Sequence, residues 1–130
     1  MRWLRYLAAG LLVVVVVGGI AIALWSLFRV QCENTVIGRY RAPDGVHDAV
    51  LFTRNCGATT AMVTNVVVTA ARGDVRKAEG CFVVTGPDSL ALRWEGPALL
   101  SVVRRGGEVA RADTEMMGVR IRYAEIRRVP

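Results

Sequence analysis

Residues 7–28 read LAAGLLVVVVVGGIAIALWSLF, a run of 22 residues without a charge, and it divides the chain into two parts of different physics. At about 1.5 Å of rise per residue the run would reach roughly 33 Å as a helix, enough to cross a hydrocarbon layer of about 30 Å. Val13 to Val17 are mediocre helix formers in water. In lipid, however, each backbone amide must find its partner inside the segment, and that requirement enforces the helix. Trp3 and Tyr6 precede the run and Trp25 lies near its end, where amphipathic rings favour the two headgroup layers.

Arg2 and Arg5 sit on a short stub, residues 1–6, which the positive-inside rule keeps in the cytoplasm. A signal-anchor over residues 7–28 would then export residues 29–130; Arg29 on the far side opposes this orientation, but a long trailing domain crosses largely regardless of charge. The rival is a cleaved signal peptide, since Ala21-Ile22-Ala23 has the small-x-small form of a cleavage site. Its apolar core would exceed the usual 7–15 residues or so, which favours retention. A lipoprotein site at Cys32 is disfavoured because Arg29-Val30-Gln31 lacks the small apolar residues such a processing site uses. Gly19 and Ala23 form one small-xxx-small pair, which reads more simply as lipid-facing small residues than as a helix dimer contact.

The remaining 100 residues suffice for one modest core. Beyond residue 30 the chain holds 14 basic and 11 acidic groups, so the whole-chain charge of +6 leaves a domain of only +3. Sixteen of the 17 basic residues are arginine, which reads as compositional bias rather than a nucleic-acid stripe, because a binding face needs clustering. Arg104-Arg105 and Arg127-Arg128 are the nearest groupings and read as solvated turn and tail charges. No nucleic-acid partner is expected; anionic lipid headgroups of the bilayer are admissible partners.

Period-two alternation governs the domain. Leu90, Leu92 and Trp94 oppose Ala91 and Arg93, and Val119, Ile121 and Tyr123 oppose Arg120 and Arg122. His47–Thr53, Ala61–Ala70, Cys81–Thr85 and Leu99–Val103 are rich in β-branched or aromatic residues. Turn chemistry separates them at Ala42-Pro43-Asp44-Gly45, Arg72-Gly73-Asp74, Gly86-Pro87-Asp88-Ser89, Gly96-Pro97 and Arg105-Gly106-Gly107. The expectation is mainly β: one N-terminal transmembrane helix, then six short strands in a small antiparallel meander that closes as a sandwich or open barrel.

The segments Pro43-Asp44-Gly45 and Ala49-Val50-Leu51-Phe52-Thr53-Arg54-Asn55-Cys56-Gly57-Ala58-Thr59-Thr60 resemble a family of small bacterial envelope proteins that carry an SPDGxxxAxxFxRxCGATT-type pattern. Ala42 stands where that pattern has serine. Gly80-Cys81-Phe82-Val83, Leu90 to Trp94 and Gly118 to Tyr123 are similar to its later strands, so the likeness spans roughly residues 32–126. It implies an envelope location and a β fold, and carries no activity, ligand or catalytic residue.

Three cysteines in an oxidising compartment leave one unpaired. The resemblance implies a Cys32–Cys56 pair, because such proteins tend to place a cysteine ahead of the proline-aspartate-glycine turn; Cys56–Cys81 is the competitor. Closing about 25 residues would stabilise the fold by roughly 3.5 kcal/mol in the chain-entropy model. Cys81 would then be a small buried apolar residue. Cys56 as a nucleophile needs a base, and the chain offers only His47. No close pair of ligand-type residues points to a metal, and no cofactor is expected. Gly57, Thr59 and Thr60 could present hydroxyls to a partner at a tight reversal, or simply close a turn. Arg72-Gly73-Asp74 matches an adhesion tripeptide but is ordinary hairpin composition. The domain is therefore expected to be a non-catalytic binding or structural module, meeting the bilayer and another envelope protein or surface component; a membrane-tethered thiol enzyme or redox protein using Cys56 is the alternative.

Overall fold

A computed structural model describes residues 1–29, 32–57, 60–85 and 89–126 and separates the chain into two units, residues 1–31 and 32–130. The turn expected at Gly86-Pro87-Asp88, the Ala58-Thr59 pair and the Arg127-Arg128 grouping lie outside the described residues.

The first unit is one helix, α1, Arg2–Leu27. None of it is buried, and its most apolar 18-residue window has a mean hydropathy of 2.8, so it is long and apolar enough to cross a membrane. The helix begins at Arg2, which makes the expected stub part of the same rod. A terminal helical turn continues cheaply once the apolar run has nucleated.

Among its described residues the second unit contains nine strands: β1 (Glu33–Arg41), β2 (His47–Asn55), β3 (Val63–Ala70), β4 (Phe82–Thr85), β5 (Ser89–Gly96), β6 (Leu99–Arg105), β7 (Glu108–Ala112), β8 (Glu115–Met116) and β9 (Val119–Glu125). They form a five-stranded sheet of order β1-β2-β3-β4-β7 and a four-stranded sheet of order β5-β6-β9-β8. All six strands expected from alternation are present. β1, β7 and β8 are additional: β1 bulges at Ile37, β7 is exposed along its whole length, and β8 is two residues long.

The two sheets enclose one core. Ala49, Leu51, Val66, Val68, Phe82 and Val84 from the first face Leu92, Leu100, Val102, Val119 and Ile121 from the second. The Phe82 and Tyr123 rings stack across the layer at 4.9 Å. A second, smaller cluster occupies the opposite face of the first sheet, where Val50, Phe52 and Val67 are covered by Val75 and Ala78 from the β3–β4 connection. This sheet is therefore buried on both faces at its centre. That explains why Ala49 to Phe52 and Val66 to Val68 read as unbroken apolar runs.

Two pairings depart from a meander: β4 pairs with β7, although β5 and β6 lie between them in the chain, and β6 and β9 are parallel. Residues 106–118 form the crossover between β6 and β9, close to the dozen residues a parallel connection needs. Within it β7 pairs with β4 of the first sheet and β8 with β9 of the second. The Asp113 N–H donates to the Cys81 carbonyl and the Ile121 N–H to the Thr114 carbonyl, so the two ladders continue through the corner. The chain switches sheets there, as strands do at sandwich corners. Met117 and Gly118, with φ of 52° and 75°, make the two-residue turn from β8 to β9, the left-handed pattern that suits a tight hairpin. On the opposite side the open edges of β1 and β5 are bridged by Trp94, whose Nε1–H donates to the Tyr40 carbonyl at 2.9 Å.

Candidate functional site

Cys32 and Cys56 stand one rung beyond the last β1–β2 pair, Glu33 with Asn55. They are joined by a disulfide with a Cα–Cα distance of 4.0 Å and a sequence separation of 24. The bond thus closes the open end of the first hairpin. Beyond it, Gly57 adopts φ +110°, a conformation that disfavours any side chain. Its N–H donates to Asn55 Oδ1, and the Thr60 N–H donates to the Gly57 carbonyl. The Thr60 hydroxyl donates to the Cys56 carbonyl at 3.5 Å. Gly57 and Thr60 are both exposed, yet their polar groups are spent on the turn itself; Thr59 lies outside the described residues.

His47 opens β2 and Cys56 follows its end, so nine extended residues, roughly 30 Å, separate them. The strand that carries both residues keeps them from meeting as base and nucleophile. His47 Nδ1 is instead buried without a hydrogen bond to the described residues, 3.5 Å from Asp44 Oδ2. Asp44 belongs to the turn, where the Val46 N–H bonded to its carboxylate holds its pKa below the ordinary value. Gly45 (φ +72°) and the Ala42 N–H bond to the His47 carbonyl complete that reversal.

Alternation alone did not single out Asp48. It is fully buried beside the turn, accepting from Arg41 Nε at 2.6 Å, Arg39 Nη1 at 3.0 Å and the Arg72 backbone N–H at 2.7 Å. Arg41 lies directly across the ladder from Asp48, and Arg39 is two residues back on the same face. These bonds, led by Arg41, hold the Asp48 carboxyl down at about 2. Arg39 also donates to the Gly73 carbonyl, and Asn34 Nδ2 donates to the carbonyls of Val75 and Ala78. Through these contacts β1 and β2 bind the β3–β4 connection over the second apolar cluster. Within that connection, Arg72 has φ +61°, and the Asp74 carboxylate is held by the Arg76 guanidinium at 2.7 Å. The tripeptide's acid is therefore already engaged.

Cys81 is buried, its Sγ 3.2 Å from the Val66 carbonyl oxygen, and burial pushes its thiol pKa up. It is structural packing, not an activated nucleophile. Among the described residues no group of three or more His, Cys, Asp or Glu side chains could hold a metal.

The second sheet gathers arginines that the sequence scatters. Arg93, Ser101 and Arg122 share one rung across β5, β6 and β9, with Arg120 one step along β9. The sequence signal was present in the alternation itself: Arg93, Arg120 and Arg122 are the outward partners of buried Leu92, Val119 and Ile121. What it lacked was the pairing of β9 beside β6.

Comparison of the chain with protein-family models, curated proteins and solved structures finds no match.

Proposed function

We propose that this chain is a single-pass membrane protein of the bacterial cell envelope, with a cytoplasmic N-terminus and an extracytoplasmic β domain that acts as a non-catalytic binding or structural module. The observation that carries the reading is the conjunction of an unburied apolar helix with a Cys32–Cys56 disulfide in the domain that follows it. Disulfides persist in oxidising compartments, and a helix of this kind is what delivers and retains a domain there. Support for a non-catalytic role comes from the site residues. Cys56 is bonded, His47 lies at the far end of the same strand, and Gly57 and Thr60 serve a turn. The partners suggested are the bilayer and another envelope protein or surface component.

An alkaline phosphatase reporter fused behind Pro130 tests the location. Enzyme activity with the reporter retained in membranes is the expected result. An inactive, cytosolic reporter would overturn the reading, and a mature mass starting after Ala23 would remove the tether while leaving export intact.

A further inference from the structure

Asn55 to Ala71 hold no Asp, Glu, Lys or Arg, in a chain where 22% of the residues are charged. By contrast, charge marks the β1–β2 turn at Asp44, the β3–β4 connection at Asp74, Arg76 and Lys77, and the β7–β8 corner at Asp113. The centre of β3 is uncharged because it is buried, but Gly57, Thr60, Ala61 and Met62 ahead of it are exposed. Met62 is 63% exposed, the largest value for a large apolar side chain among the described residues of the domain.

An exposed methionine is ordinary on a protein surface; the place of this one is not. Val63 pairs with Arg54, so Met62 stands beside Asn55 at the end of the ladder, next to the rung that carries Cys56. The disulfide ties Cys56 to Cys32, which is five residues beyond Leu27, the last residue of α1. Five extended residues span at most about 18 Å, so this end of the first sheet cannot leave the neighbourhood of the helix terminus. The polar groups of the loop are already occupied: the Gly57 N–H by Asn55 Oδ1, the Thr60 N–H by the Gly57 carbonyl and the Thr60 hydroxyl by the Cys56 carbonyl. What remains outward is mostly methyl, methylene and thioether surface, which loses little on leaving water. Glu33, across Asn55 from Met62, bounds this uncharged surface.

We propose that Gly57 and the run Thr60-Ala61-Met62 rest in the interfacial layer of the bilayer that anchors α1, with the Met62 side chain among the upper acyl carbons. The inference rests on the anchored reading above and makes lipid the partner of Gly57 and Thr60. One methionine is too small an anchor on its own; the short tether holds it at the interface by keeping lipid at high effective concentration.

The test uses the full chain in phosphatidylcholine nanodiscs and measures, by peptide mass, how fast chloramine-T converts each methionine to its sulfoxide. Met117, 54% exposed in the β8–β9 turn, is the reference. Met62 is expected to oxidise about fivefold more slowly than Met117, because sulfoxide formation follows exposure to the aqueous oxidant. In a variant with about 20 glycine and serine residues inserted after Arg29, which adds roughly 25 Å of reach, the two rates should come within about twofold. Equal rates at Met62 and Met117 in both proteins overturn the docking alone. Slow oxidation of Met62 in both assigns its protection to the domain's own packing and overturns the docking as well. A chain that elutes apart from the discs overturns the anchored reading and the docking with it.

Discussion

At the scale of single residues the domain depends on Asp48, a buried charge on β2 whose two arginines come from β1 and whose backbone donor, Arg72, comes from the β3–β4 connection. Removing one partner of a buried ion cluster leaves the others uncompensated, so Asp48→Asn should destabilise the domain by about 3 kcal/mol, read from urea unfolding followed by circular dichroism. The pH dependence follows from its lowered pKa. A carboxylate depressed from the ordinary 3.8 to about 2 adds stability that is fully present above pH 4 and is lost as the pH falls toward 2. The wild-type chain should lose stability in that window, and Asp48→Asn should show a shallower acid limb; identical limbs would assign acid unfolding to other groups. Gly73 makes a separate point. A Cβ there would lie 2.0 Å from Thr69 Oγ1 and 2.9 Å from the Ala70 carbonyl oxygen, which is backbone and cannot step aside. Gly73→Ala should cost about 1–2 kcal/mol in the same assay. In the sequence Gly73 stands out only as part of a tripeptide and Asp48 not at all, because a charge at the head of an apolar strand looks like a solvated end until the opposing strand is known.

Among the elements, burial decides what could be read in advance. The six strands with a buried face announced themselves through alternation or apolar runs, since each must hide one side from water. β1 and β7 are edges with mostly exposed side chains, so no periodic signal marks them. The parallel β6–β9 pairing escaped for a different reason: it is created by β7 leaving for the other sheet, a long-range choice that no local window contains. The disulfide belongs to this scale because it locks one hairpin. Replacing both Cys32 and Cys56 by serine should lower unfolding free energy by roughly 3.5 kcal/mol, measured against the oxidised wild type. A double variant of unchanged stability would show that the β1–β2 hairpin is already fully restrained by its ladder and by Asp48.

For the whole molecule, the division into an apolar helix and a β domain was legible from charge and hydropathy alone, because a lipid and an aqueous environment demand opposite compositions. The candidate site was legible only in part. Cys32 and Cys56 are joined as a disulfide, and Gly57, read as the hinge of a partner-facing reversal or of a plain turn, has φ +110°. The arginine face was invisible, since its members lie on three strands whose order is set by the crossover. The central claim, an exported β domain braced by Cys32–Cys56 behind a membrane helix, is tested most directly by alkylating the full chain from native membranes in denaturant without reductant and mapping the cysteines by mass. The account predicts one alkylated residue, Cys81, and a Cys32–Cys56 linked peptide that separates only on reduction. Alkylation of all three cysteines before reduction would contradict it.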